Sequence, residues 1–164
     1  MKPELHRTMA VERVGPAGLD VLVEASAAEC AALAQRMNLP AVLQLTCRFR
    51  LERDSAGGLL ARGSLVARVV QTCVVSLEDF TADLHERFVV RCVPEGEEND
   101  DPDPEALDEI TFADGTLDLG EAAAEQLALA LDPYPRAPDA VLPDVSEEPA
   151  AGPFDALERL RRRH

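Results

Sequence analysis

The chain of 164 residues has no tryptophan, one tyrosine and five phenylalanines. Its core must therefore be assembled from Leu, Val and Ala, with few rings to fill gaps. It also lacks any apolar run near the ~20 residues that a membrane-spanning helix requires. The opening stretch, "MKPELHRTMAVERVG", has no apolar segment of the kind a secretory signal uses. A cytoplasmic location is the expectation. The four cysteines (Cys30, Cys47, Cys73, Cys92) are widely spaced, with no Cys-x-x-Cys pair, and His6, His85 and His164 are equally scattered. Zinc sites bring their ligands in close pairs, so no metal is expected, and solitary cytosolic cysteines act as small buried hydrophobes. Gly-x-Ser-x-Gly, phosphate-loop, His-Glu-x-x-His and dinucleotide fingerprints are all missing. Neither catalysis nor a cofactor is expected.

What the chain has in excess is acid, unevenly placed. The formal net charge is −15, yet residues 1–92 hold 11 basic and 11 acidic side chains. Residues 93–158 carry 20 acids against the single Arg136, and the last six residues, "RLRRRH", return four arginines. An acidic middle repels phosphate backbones and attracts basic partners, which disfavours general coating of nucleic acid.

The length suits one core of ordinary size. "AVERV" and "LDVLVEA" read as short extended pieces around the turn signal Gly15-Pro16-Ala17-Gly18. Ser26 and Glu29 have capping-box spacing for a helix over 27–37, which Asn38 and Pro40 stop. In "LQLTCRFRLER", Leu43, Leu45, Cys47, Phe49 and Leu51 alternate with polar residues, which predicts a strand with one buried face. "LLARGSLVARVVQ" returns as its antiparallel partner, "VVSLEDF" reverses the chain, and "FTADLHERFVVRCV" forms a third long strand whose inward face is broken by Glu86. "ITFADGTLDL" adds a short strand with an Asp-Gly turn. Asp118 caps a second helix, whose stripe is Leu119, Ala123, Leu127 and Leu131 and whose stop is Asp132-Pro133.

These elements predict an α+β fold over residues 1–140: a curved, barrel-like antiparallel sheet with two packing helices. Residues 94–109, acidic and nearly free of hydrophobes, read as a mobile loop, whose carboxylate spacing fails the EF-hand pattern. Residues 141–164 form an acidic, proline-rich tail ending in a short basic helix, "PFDALERLRRR", which is too short to be stable alone.

Four segments, in this order, carry a resemblance: "LVARVVQTCVVSLEDF" (65–80), "ERFVVRCVPE" (86–95), "DGTLDLGEAAAEQLALALDPYPRAPDA" (114–140) and "PFDALERLRRR" (153–163). Together the chain resembles the YceD family of bacterial proteins, associated with accumulation of large-subunit ribosomal RNA. The Asp-Leu-Gly helix running into Pro-Tyr-Pro-Arg resembles the branch found in alphaproteobacteria. Many members have Cys-x-x-Cys-Leu in the first segment, and some have further cysteines after the long helix. Here Cys73 fits the first position, Ser76 stands at the second, and "DPYPRAPD" contains no cysteine. The resemblance thus implies a role in ribosome biogenesis and supplies neither ligand set nor catalytic chemistry.

The resemblance and the charge map together give the functional expectation. It is a non-enzymatic accessory factor supporting large-subunit rRNA maturation or accumulation, with the pre-ribosomal large subunit as partner through rRNA, a basic ribosomal protein, or both. Two alternatives stand beside it, an acidic holder of a basic ribosomal protein and a metal-dependent nuclease. The candidate partner-binding residues are Pro133, Tyr134, Pro135 and Arg136, together with Cys73 and the terminal Arg159, Arg161, Arg162 and Arg163. Prolines on both sides leave Tyr134 little freedom to lose on binding, but the ring can equally dock on its own domain. The terminal arginines can meet phosphates, offset a helix dipole or fold back on the acidic loop. Cys73 is either a small packed residue or a reactive thiol, the latter needing a neighbouring positive charge.

Overall fold

Three long strands dominate the computed structural model, which describes residues 4–55, 58–98 and 106–142. The chain order is β1 (Thr8–Ala10), a 3-10 turn (Val11–Arg13), β2 (Leu19–Glu24), α1 (Ala27–Arg36), β3 (Ala41–Arg53), β4 (Leu59–Thr72), β5 (Asp79–Pro94), β6 (Glu109–Phe112), β7 (Thr116–Asp118) and α2 (Leu119–Ala130). The main sheet runs β2-β3-β4-β5-β6, and β1 pairs with β7 in a separate two-stranded piece. The result is the α+β class that the element order predicts.

Three features differ from the sequence expectation. The sheet does not close into a barrel: β2 and β6 are its two edges. The first four strands are antiparallel as predicted, but β6 runs parallel to β5, with Arg91 opposite Glu109 and Cys92 opposite Ile110. The "AVERV" stretch is not extended throughout, because Val11–Arg13 turns into 3-10 geometry that buries Val11 and sends Glu12 and Arg13 outward.

Alternation places the long strands. On β4, Leu59, Ala61, Gly63, Leu65, Ala67, Val69 and Gln71 are buried, while Arg62, Ser64, Val66 and Arg68 are exposed. That period of two puts one face in the core and one in water. On β3 the expected pattern fails at one residue: Leu43 is 55% exposed. The register passes from Val42–Val69 to Gln44–Arg68, so Leu43 is the extra residue of a β-bulge. A bulge shifts the side-chain phase by one, which brings Val42 and Leu45 inward and leaves Leu43 outside. Glu86 lies on the inward row of β5 but is exposed, in a hollow with Phe88, Gln126, Leu129 and Ala130. It occupies the place where the helical layer stops covering the sheet.

Both helices begin as their sequences predict. The Ser26 hydroxyl accepts from the Glu29 N–H, and the Glu29 carboxylate accepts from the Ser26 N–H, the reciprocal pair of a capping box. At the other end Asn38 has φ 53, the left-handed residue that closes many helices, and the Leu39 N–H reaches back to the Ala34 carbonyl. At α2, the Asp118 carboxylate accepts from the N–H groups of Gly120 and Glu121. It also accepts from the Arg7 N–H and pairs with His6. The N-terminal segment thereby lies against the start of α2, and the Leu119 N–H donates to the Arg7 carbonyl. A Cβ at position 120 would come within 2.7 Å of the Leu5 carbonyl oxygen. The Asp-Leu-Gly signature is therefore a docking device: acid for the cap, leucine for the core, glycine for close backbone approach.

The core unites residues of both helices, β1, β7 and the inward rows of the sheet. Leu33 and Ala34 from α1, Leu119, Ala122, Ala123 and Leu127 from α2, and Met9 and Leu117 from β1 and β7 all bury against it. Helices and the small strand pair therefore cover one face of the sheet. Among the described residues, no helix covers the other face, with its alternating arginines. Among the described residues no helix is long and apolar enough to cross a membrane. Residues 99–105 of the acidic segment and the C-terminal "PFDALERLRRR", with Arg159, Arg161, Arg162 and Arg163, lie outside the described residues.

Candidate partner-binding site

The reversal between β4 and β5 and the segment after α2 meet at one end of the sheet. The turn begins at Cys73, whose N–H donates to the Glu78 carbonyl at 2.8 Å, while the Leu77 N–H donates to the Cys73 carbonyl at 2.9 Å. Leu77 sits at φ 60, a left-handed position for a branched apolar residue, and is 77% exposed. Thr72 and Asp79 close the base of the turn through a hydroxyl-to-carboxylate hydrogen bond of 2.8 Å.

The helix stop crosses over this turn. Pro133 ends α2 as the sequence predicts, and the Asp132 carboxylate accepts from the Tyr134 N–H at 2.9 Å. The buried Gln71 amide donates to the Asp132 carbonyl at 3.2 Å, and the Val74 N–H donates to the Pro135 carbonyl at 2.9 Å. The candidates Cys73 and Pro133–Arg136 are thus brought together. Pro133, Tyr134 and Arg136 are exposed and Pro135 is partly covered. The Tyr134 ring does not dock on its own domain: it is 73% exposed. Val74 and Leu77 on the turn are exposed apolar side chains at the same end.

Cys73 combines both of its sequence readings. It is fully covered, as a small residue packed at the sheet's end. Its cover is thin, however, and polar groups point at the sulfur: the N–H groups of Val75 and Ser76, each at 3.4 Å, the Ser76 hydroxyl, and the N–H of Ala137. Chiefly through Ser76, these donors lower the thiol from its ordinary 9.0 to about 7. Arg68, the nearest arginine in sequence, supplies no positive charge to the thiol, because it is on the solvent face of β4, paired with Asp83 at 2.7 Å. The other three cysteines behave as buried hydrophobes. Desolvation raises Cys47 to about 12 and Cys92 to about 11, and also raises Cys30.

One thiol and one serine at this turn do not make a metal donor set. Among the described residues no group of three or more His, Cys, Asp or Glu could hold an ion. Beside α2, a hollow of about 230 Å³ is lined by Glu109, Asp118, Glu121 and Glu125. Desolvation, followed by the nearby Glu121 carboxylate, raises Glu125, while Glu121 itself pairs with Arg36 at 2.6 Å. Such a hollow favours positive charge.

A family model described as "Large ribosomal RNA subunit accumulation protein YceD" matches residues 61–160. That span begins in β4 and includes the Cys73 turn, the Asp-Leu-Gly helix and the segment that follows it. No curated protein matches the chain, and no solved structure matches it.

Proposed function

The chain belongs to the YceD family of large ribosomal RNA subunit accumulation proteins, and from that premise we propose that it is a non-enzymatic accessory factor in ribosome biogenesis, acting as a docking protein in large-subunit rRNA maturation. The observation that carries this reading is the clasp between the Cys73 turn and the Pro133–Arg136 segment. Two of the segments most characteristic of the chain, far apart in sequence, are bonded through Val74 and Pro135, and Tyr134 stands out from the surface they share. A clasp that holds an exposed ring between two prolines is a pre-organised contact, because little freedom remains to be lost on association.

The test is salt-dependent co-sedimentation from growing cells, read for RNA and protein together. The protein should travel with immature large subunits, and its loss should lower large-subunit rRNA. Equal distribution between both subunits, or none on either, overturns the reading. The acid-lined hollow beside α2 favours a second reading, a holder of a basic ribosomal protein. Tight binding of one purified ribosomal protein without RNA would select it.

A further inference from the structure

Strand register aligns the arginines that alternation only counts. On the uncovered face of the sheet, one cross-strand row reads Leu22, Arg48, Ser64, Arg87. It contains no acid. The next row reads Asp20, Arg50, Arg62, Val89, and Arg68 and Arg91 lie further along β4 and β5 on the same face. Six of the ten arginines in residues 1–92 therefore share this surface. Neighbouring strands are about 4.8 Å apart, and alternate residues along a strand are about 7 Å apart. Apart from Arg68, which stands further off along β4, the arginines form a lattice whose spacing is on the order of 5–10 Å.

Some of that charge is balanced within the face. Arg50 pairs with Asp20 at 2.9 Å and with Glu52, Arg62 pairs with Glu52 at 3.5 Å, and Arg68 pairs with Asp83. Arg48 and Arg87, both exposed, have no ion pair among the described residues. Between them Ser64 is too small to fill the row. The surface dips there into a concavity of about 460 Å³, with Arg48, Arg50, Arg62 and Arg87 around it and Asp20 as its single acid. The acids gathered beside α2 lie away from this concavity. Asp118, Glu121 and Glu125 belong to the helical layer on the opposite face, and Glu109 sits on the edge strand β6 opposite Arg91.

We propose that this sheet face, centred on Arg48 and Arg87, binds the phosphate backbone of RNA. Unpaired guanidiniums present planar forks that match phosphate oxygens. The shallow, largely apolar floor between them leaves room for a sugar or base edge. A basic ribosomal protein is the wrong partner for this face, since its charge repeats that of the arginines. The chain's net charge of −15 disfavours RNA only if charge is averaged over the molecule. Sorted by face, the acids beside α2 lie on the helical side, whereas the sheet face keeps Arg48 and Arg87 without an ion pair among the described residues. The partner class rests on the ribosome-biogenesis reading, but the surface and its test do not.

The experiment measures affinity of the full chain for a transcript of one large-subunit rRNA domain across a series of KCl concentrations. Arg48→Ala/Arg87→Ala is compared with wild type and with Arg13→Ala, an exposed arginine of the 3-10 turn. Loss of two phosphate contacts should make the plot of log affinity against log salt shallower by about 1.4–1.8. Arg13→Ala should leave that slope unchanged, and all three proteins should melt together. A double variant with the wild-type slope overturns the proposal, as does a wild type that binds a basic ribosomal protein but no RNA. In the cell the two readings separate. A double variant that has lost RNA affinity but still reaches immature large subunits through the Tyr134 end keeps both. A wild type that binds the transcript but is absent from those particles keeps the surface and removes the biogenesis role.

Discussion

The backbone N–H of Val74 donates to the carbonyl of Pro135 at 2.9 Å, and this bond decides what Tyr134 can do. The strand reversal holds the segment after α2 by its backbone, so the tyrosine side chain is not needed to anchor it. With the Asp132 carboxylate fixing its N–H and a proline on each side, the ring is aimed outward at 73% exposure.

Tyr134→Ala should therefore leave the fold nearly untouched, within about 0.5 kcal/mol, as for other surface substitutions. Association with the large-subunit precursor should weaken by about 2 kcal/mol, the size of an interface anchor. Thermal melting and quantitative co-sedimentation of the same variant measure the two effects. A large drop in melting temperature with association intact would make the ring structural and remove it from the docking surface.

The ionisation of Cys73 gives a second prediction, in pH. Its folded thiol titrates near 7, below the ordinary 9.0, so the folded state holds fewer protons than the unfolded state between those values. Stability from this group is therefore fully present above pH 9 and is lost as pH falls through 7. Cys47 and Cys92 act in the opposite sense, because burial raises them to about 12 and about 11. Their contribution is lost as pH climbs beyond 9. Between pH 7 and 9 the stability of wild type relative to Cys73→Ala should rise with pH, and Ser76→Ala should flatten that rise. A difference independent of pH over this window would mean that the N–H groups around the sulfur do not stabilise a thiolate.

How far the sequence reaches is visible at particular residues. Ser26, Glu29, Asn38 and Asp118 act locally, through caps and a left-handed turn, so their roles are readable without the fold. Leu43 leaves the face that alternation predicts because a bulge is a property of the pairing between β3 and β4, and nothing in "AVLQL" alone locates it. The arginine face escaped for the same reason. Alternation puts Arg48, Ser64 and Arg87 on the outward side of three strands, but only register sets them in one row. Val74 and Pro135 offer no local signal of their contact. What hinted at it was that both lie in segments carrying the family resemblance.

Acid should loosen the attachment of the N-terminal segment. Arg7 forks onto Glu29 with hydrogen bonds of 2.7 and 3.0 Å, and Glu29 also serves the Ser26 cap. The Arg7 guanidinium, with the Ser26 N–H, holds the Glu29 carboxyl at about 2, below its ordinary 4.5. This stabilisation is present above pH 4.5 and is lost as pH falls toward 2. Glu29→Gln keeps an acceptor for the Ser26 cap but loses the ion pair with Arg7, and should cost about 0.5–1 kcal/mol at neutral pH. It should also remove part of the acid dependence between pH 4.5 and 2, measured by chemical denaturation at each pH. An unchanged acid profile in the variant would assign that dependence to other carboxylates.

The middle of the sheet supplies the last prediction. Gly63 on β4 is the cross-strand partner of Phe88 on β5, and a Cβ at position 63 would clash with the tip of the Phe88 ring, at its Cζ. The ring fills the space a side chain would take and meets Phe49 edge-on, with centroids 5.8 Å apart. In a chain with no tryptophan, this pair supplies a large part of the sheet's aromatic packing. Gly63→Ala should therefore destabilise the protein by about 1–3 kcal/mol, the usual cost of overpacking. Ordinarily glycine to alanine in a strand would help, since glycine there is entropically unfavourable. The sign of the change is thus diagnostic. Phe88→Leu alone should also destabilise, but combined with Gly63→Ala it should cost less than the sum of the two, because the smaller side chain leaves room for the new methyl. Denaturant unfolding of the four proteins in this cycle measures the coupling. Strict additivity would mean that the ring can swing clear of position 63 at no cost.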